Sequence, residues 1–297
     1  MQTENSIPHH EAGNDGENWD IRISADRGYL DINLREIWRY RDLLTMFVKK
    51  DIITVYKQTI LGPIWFLLQP ILTAMIYAFI FGQVARISTG NAPQILFYLG
   101  SFTIWNYFAE TFKVTSKTFS ENATVFGKVY FPRIILPLSK VISGIIKLLI
   151  QFVLFFLIWF YYLWVKHAIT PNWHMVFFPL ILLVIAFMSL GFGIIITSLT
   201  TKYRDLNFLI AFGIQLLQFV TPVIFPISSI KDSSIHLWLW LNPLASLFEA
   251  FKYAFLGQGS GVFSYFWLGY SVIWTVVALF IGIVIFSRVE KKFIDTV

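Results

Sequence analysis

Three cations, Arg133, Lys140 and Lys147, follow one another at seven-residue intervals through an otherwise apolar stretch. On a helix that spacing places them along one face. At 1.5 Å per residue Lys147 stands roughly 20 Å beyond Arg133. No acidic residue accompanies them in that helix. Such a row can act as a cationic track for an anionic headgroup. The plainer reading is a helix that begins as a cytoplasmic extension, with long basic side chains snorkelling to the surface; it covers Arg133 and Lys140 easily and strains for Lys147. Gln215, Gln218 and Thr221 form a second polar set at i, i+3 and i+6 among apolar neighbours. They could bond a hydroxyl-rich ligand in a lumen or knit helices together. Tyr77, Tyr98, Phe102, Trp105 and Phe219 offer flat faces along a path, although most aromatics in such a chain face core or lipid.

Other chemistry is missing from the sequence. There is no G-x-x-x-x-G-K-[ST], and Gly127-Lys128 lacks the upstream glycine and the hydroxyl that would follow. Neither H-E-x-x-H nor G-x-S-x-G occurs. The chain has no cysteine, hence no disulfide or thiolate site. His9 and His10 read as an incidental pair in a polar tract rather than a metal site. Carboxylates inside the apolar runs, the usual mark of an ion-coupled carrier, are limited to Glu110 and Glu249, and there is no acidic ring or TVGYG-type filter.

The elements that must position these residues are membrane helices. Hydrophobic residues make up 57% of the 297 and charged residues 13%, with 31 phenylalanines; soluble domains run at roughly 45–50% and about 25%. Apolar runs at about 63–85, 94–112, 134–165, 173–199, 206–227 and 262–287 approach the roughly 20 residues of a crossing. Six crossings put both ends on one side. Nineteen of the 23 Lys and Arg fall in the terminal segments and the alternate loops on that side, against four (Arg86, Lys166, Lys231, Lys252) opposite. The positive-inside rule therefore makes both termini cytoplasmic.

Outside the runs, residues 1–33 are acidic and without apolar periodicity, and read as a flexible cytoplasmic tail rather than a signal peptide. Residues 34–60 carry Ile37, Leu44, Val48, Ile52 and Val55 at helical spacing, with Arg35, Arg39, Lys49, Lys50 and Lys57 outside that stripe. This is a helix for the membrane surface; Asp42 and Asp51 leave a protein-facing role open. Between Phe225 and Gly261 no run is long enough to span, and short apolar pieces around Pro226 and Pro243 suggest two helices dipping back from the outer face to roof a cavity.

Five segments in order carry a resemblance: YRDLLTMFVKKDIITVYKQTILGPIWFLLQPILTAMIYAFIFG, GKVYFPRIILPLSKVISG, KYRDLNFLIAF, TPVIFPISS and LNPLASLFEAFKYAFLG. Together they resemble the membrane subunit of an ABC-2 type polysaccharide exporter, the family that moves O-antigen, capsule or teichoic-acid chains. The pairing of Q-T-x-L-G-P-x-W with V-Y-F-P-R-x-I-L-P is its specific part, and the likeness covers about residues 34–288.

The resemblance implies an all-α integral membrane protein of the ABC-2 (type V exporter) fold, with six transmembrane helices, an N-terminal amphipathic interface helix at 34–60 and periplasmic re-entrant gate helices at about 231–257. The transmembrane domain would run over 61–288 and the cytoplasmic C-terminal tail over 289–297. A coupling helix at about 120–130 would dock on an ATPase through Glu121, Asn122, Lys128 and Tyr130, and Leu61 and Gly62 would form the entry loop. Read from the residues themselves and not supplied by the resemblance, Arg133, Lys140, Lys147, Gln215, Gln218, Tyr98 and Trp105 are the candidate substrate path, the cations drawing in the pyrophosphate of a lipid-linked glycan. The implied partners are a second copy of the chain, two ABC ATPase subunits, the lipid-linked polysaccharide and the bilayer, with no nucleic acid. No cofactor is expected on this chain, since ATP and Mg would sit on the ATPase. The location implied is the bacterial inner membrane. An ABC-2 exporter of drugs or lipids and an ion-coupled carrier are the competing readings.

Overall fold

The computed structural model describes residues 34–57, 64–119, 121–122, 131–200, 205–230 and 233–294. Among these the protein is helical, with a single isolated bridge between Gln258 and Gly261. The basic amphipathic stretch is occupied by α1 (Leu34–Arg39) and α2 (Arg41–Lys57). On α2, Leu44, Phe47 and Val48 turn toward the protein while Lys49 is exposed. Next come α3 (Ile64–Tyr77), continued by a wider π turn over Ala78–Val84, and α4 (Gln94–Ser116). The long α5 (Ile135–Trp164) is followed by a 3₁₀ turn and α6 (Phe178–Thr200). The chain then forms α7 (Leu206–Val220), two short helices α8 (Ser233–Leu241) and α9 (Pro243–Leu256), and finally α10 (Tyr265–Ile294).

Four of the six expected spans have both the length and the apolarity to cross: Ile64–Val84, Ile135–Trp164, Trp173–Thr200 and Tyr265–Val289. The other two depart for different physical reasons. α4 has 23 residues, but it is lined with Ser101, Thr103, Asn106, Glu110 and Thr111 and is largely wrapped by its neighbours, so it needs less apolar surface. α7 has only 15 residues, roughly 22 Å at 1.5 Å each. It stops short of the expected 227 because Thr221 precedes Pro222 and takes an extended conformation, as residues before proline do.

The core is aromatic. Phe152 and Phe155 of α5, Phe178 of α6, and Phe251 and Phe255 of α9 meet at centroid separations from 4.9 to 6.0 Å. Such tilted and edge-on pairs each add about 0.5–1.5 kcal/mol beyond burial. α6 and α10 approach through small residues: a Cβ on Gly191 would stand 2.9 Å from the Leu279 nitrogen, and one on Gly282 2.9 Å from the Gly191 carbonyl oxygen. Close backbone contact of this kind is how helices associate where lipid removes the hydrophobic drive.

Candidate functional site

A cavity of about 880 Å³ opens between α2, α3, α4, α5 and α7. That lies within the roughly 300–1,000 Å³ of ligand pockets. Helical periodicity builds its principal wall, since Lys140, Ser143, Gly144, Lys147 and Gln151 of α5 fall within one stripe. The facing walls carry amides: Gln69 on α3, Asn106 on α4, and Gln215 and Gln218 on α7. Lys50, Lys113, Lys140 and Lys147 line it against Asp51 and Glu110, four cations to two carboxylates. A site with this surplus attracts anions, and its amides suit hydroxyl groups.

Two contacts fix the lysines. Lys140 Nζ donates to Asp51 Oδ1 at 2.7 Å, and Ser143 Oγ donates to Asp51 Oδ2 at 3.4 Å. The ion-paired side chains remain 28% and 20% exposed, so their attraction is screened and worth about 1 kcal/mol. The Lys147 ammonium lies 5.8 Å from the centre of the Phe66 ring. Gln151 donates to the Phe66 carbonyl at 3.3 Å, anchoring the same turn of α3.

The cavity thus gathers five of the candidate path residues: Lys140, Lys147, Gln215 and Gln218, singled out by spacing, and the aromatic Trp105. Two others sit elsewhere. Arg133 is buried just before α5 and is not a lining residue. Tyr98 is fully buried with Tyr77 and Phe102, whose rings lie 4.1 Å apart; at that height α4 is surrounded by protein. Thr221 is also structural, donating to the Leu217 carbonyl at 2.7 Å and accepting from Asn242 at 2.9 Å. Asp51 is the residue that the reading of α5 by itself missed. Its signal was its register, three residues after Val48 and seven after Leu44, on the inward stripe of α2.

Of the expected ATPase-docking residues, Glu121 is exposed and Asn122 bonds the Thr118 carbonyl at 2.9 Å. The turn before them is anchored: Phe119 stacks on Phe286 at 4.7 Å, and its amide donates to Thr197 Oγ1 at 3.2 Å. Lys128 and Tyr130, the entry-loop pair Leu61 and Gly62, and the tail 1–33 lie outside the described residues.

The short helices carry a second polar cluster. Asn242 caps α9, accepting from the Leu244 amide at 3.0 Å, with Pro243 in the first turn. About two turns into α9, Glu249 and Lys252 form an ion pair with both side chains at 0% exposure. Glu249 accepts from the amides of Ile227 (3.2 Å) and Val262 (2.9 Å), and Lys252 donates to the carbonyls of Pro222 (2.9 Å) and Phe225 (3.2 Å). Every charge here is answered by a partner. The pair clamps three backbone segments together, and neither side chain lines the cavity between α2, α3, α4, α5 and α7.

Comparison with known proteins gives one family. Residues 42–256 match the ABC-2 type transporter family. An O-antigen export system permease protein RfbA of Myxococcus xanthus is 29% identical over 223 residues, covering 75% of this chain and 83% of that protein. Two proteins of the same description from Klebsiella pneumoniae are 28% identical over 257 and 258 residues, each covering 86% of this chain and 94% of the relative.

Proposed function

The chain belongs to the ABC-2 type transporter family, and from that premise we propose that it is the transmembrane permease of an ATP-driven exporter of a lipid-linked, O-antigen-like polysaccharide. The observation that carries this reading is the cavity between α2, α3, α4, α5 and α7, where a surplus of cations adjoins a wall of amides. A lipid-linked glycan needs both. Its phosphate-bearing end calls for ammonium groups, and its hydroxyls call for neutral donors and acceptors. The relatives described as O-antigen export permeases support the same substrate class.

In this reading the lysine face of α5 draws the headgroup from the cytoplasmic side, and Gln215, Gln218 and Trp105 accompany the sugars. Two copies of the chain frame the path. α7 supports this, since Phe208, Leu209, Phe212, Leu216 and Phe219 leave an apolar face that this chain does not cover. Two ATPase subunits hold the nucleotide and Mg, dock at the segment that includes Glu121, and move α1 and α2 on binding ATP. Both termini face the cytoplasm of a bacterial inner membrane. An ion-coupled carrier has less support, because Glu249 is committed to a closed structural network.

The test is deletion of the gene followed by fractionation of lipid-linked glycan. Long polymer lost from the surface and retained on the cytoplasmic side is the expected result. Normal surface polymer would overturn the polysaccharide reading in favour of a drug or small-lipid exporter.

A further inference from the structure

Lys140 and Ser143 lie one turn apart on α5 and grip the two oxygens of one carboxylate, Asp51 of α2, at 2.7 and 3.4 Å. An ammonium and a hydroxyl closing on adjacent oxygens of an anion is also the donor set that a phosphate takes. One turn further, Lys147 lines the same cavity, and among the described residues it meets no carboxylate, only the Phe66 ring. Lys140 and Lys147 are about 10.5 Å apart along the axis, and their flexible stems can converge on a group of two phosphates between them. The Asp51–Lys140 pair is open to the cavity and partly exposed, so an incoming anion can reach it.

We propose that Lys140, Ser143 and Lys147 form a diphosphate site whose resident occupant is the Asp51 carboxylate. An arriving diphosphate displaces Asp51, because it brings more charge and more acceptor oxygens to the same donors. Displacement also removes a polar tie between α2 and α5, so α2 registers whether a headgroup is bound. Asp51 serves here as a counterion that occupies Lys140 until substrate arrives and leaves Lys147 free to attract it. The inference rests on the export reading only for the source of the diphosphate, a lipid-linked chain.

The test is equilibrium dialysis of radiolabelled inorganic pyrophosphate against the full-length chain in nanodiscs of neutral lipid. Asp51→Asn removes the competitor and is expected to tighten binding about three- to tenfold, the range of a partly screened ion pair. Lys140→Met and Lys147→Met are each expected to weaken it about tenfold or more, and Ser143→Ala about threefold. Unchanged or weaker binding in Asp51→Asn overturns the counterion role. Should that variant fail to fold, wild-type affinity in both Ser143→Ala and Lys147→Met overturns the site. Competition separates the sources: displacement of the label by a polyprenyl diphosphate identifies a lipid headgroup, and displacement by soluble diphosphates alone identifies a solution anion. Displacement by phosphatidylglycerol vesicles as effective as either overturns selectivity for diphosphate. Failure of the export reading looks different: surface polymer is then normal in the deletion strain while Asp51→Asn still tightens binding.

Discussion

Replacing Lys252 with Met tests whether the Glu249–Lys252 pair is a structural clamp. Methionine keeps most of the side-chain volume beside the Phe97 ring, 5.0 Å from the present ammonium, and deletes the charge. Glu249 is then left with the Ile227 and Val262 amides and no cation, at 0% exposure. Stranding one member of a buried pair costs about 3–5 kcal/mol. The carbonyls of Pro222 and Phe225 lose their ammonium donor as well, at about 1–3 kcal/mol each before relaxation. Uptake of a proton by Glu249 limits the total, so a loss on the order of 4 kcal/mol is expected, or about 10 °C in Tm. The assay is size-exclusion chromatography of detergent-solubilised protein after stepped heating. Adding Glu249→Gln to Lys252→Met removes the stranded charge, keeps an acceptor for the amides, and should restore more than half of the lost stability, as coupled neighbours do in a double-mutant cycle. The stable double variant should export as the wild type does. A Lys252→Met protein that melts within about 2 °C of wild type refutes the argument. Export abolished in a stable double variant refutes the structural assignment and returns Glu249 to the carrier reading.

Lys147→Met should slow export about five- to tenfold, the rate equivalent of one screened charged contact, with membrane insertion and ATPase association unchanged; pulse-labelled surface polymer reports the rate, and unchanged export removes Lys147 from the path. Gly191→Val drives a branched side chain onto the Leu279 backbone 2.9 Å away, and should destabilise by about 1–3 kcal/mol, read as a melting temperature several degrees lower in the same heating assay.

Local features were legible in the sequence and relations between distant segments were not. Periodicity put Lys140 and Lys147 on one face, and both line one cavity, because a helical face is fixed by residues a few positions apart. Nothing of that kind connects Lys140 with Asp51, 89 residues earlier. Their contact depends on α2 folding back across α5. Tyr98 and Trp105 show the same limit. Seven residues separate them on α4, so a helical wheel superposes them, yet Tyr98 is enclosed with Tyr77 and Phe102 while Trp105 borders the cavity. Neighbours at each height of α4, absent from its own sequence, decide the difference. Proline acts locally, yet only one of the two boundaries was read: Asn242-Pro243 starts α9 within the stretch expected to hold short helices, whereas Thr221-Pro222 ends α7 inside a run whose apolarity continues to 227.

The distribution of packing also bears on where a transporter built this way can move. Around α9 the Phe152–Phe155–Phe251–Phe255 cluster, the Glu249–Lys252 clamp and a hydrogen bond of 2.8 Å from Trp159 to the Phe255 carbonyl leave little freedom. Displacing any of these elements breaks buried polar contacts as well as apolar ones. The cavity walls differ. α7 buries only Ile214 in this chain, and among the described side chains α2 buries only Val48. Elements with few buried contacts open at the lowest free energy. Any widening of the path therefore falls first on α2 and α7, the two helices that contribute Asp51 and the Gln215–Gln218 pair. The counterion Asp51 and the amides that would meet the sugars are thus carried by the parts of the fold least costly to displace, while α5, which holds the headgroup lysines Lys140 and Lys147, is fixed to the aromatic core. Relative motion of α2 against α5 would then separate Asp51 from Lys140 without unpacking the protein, which is the mechanical condition a displaceable counterion requires.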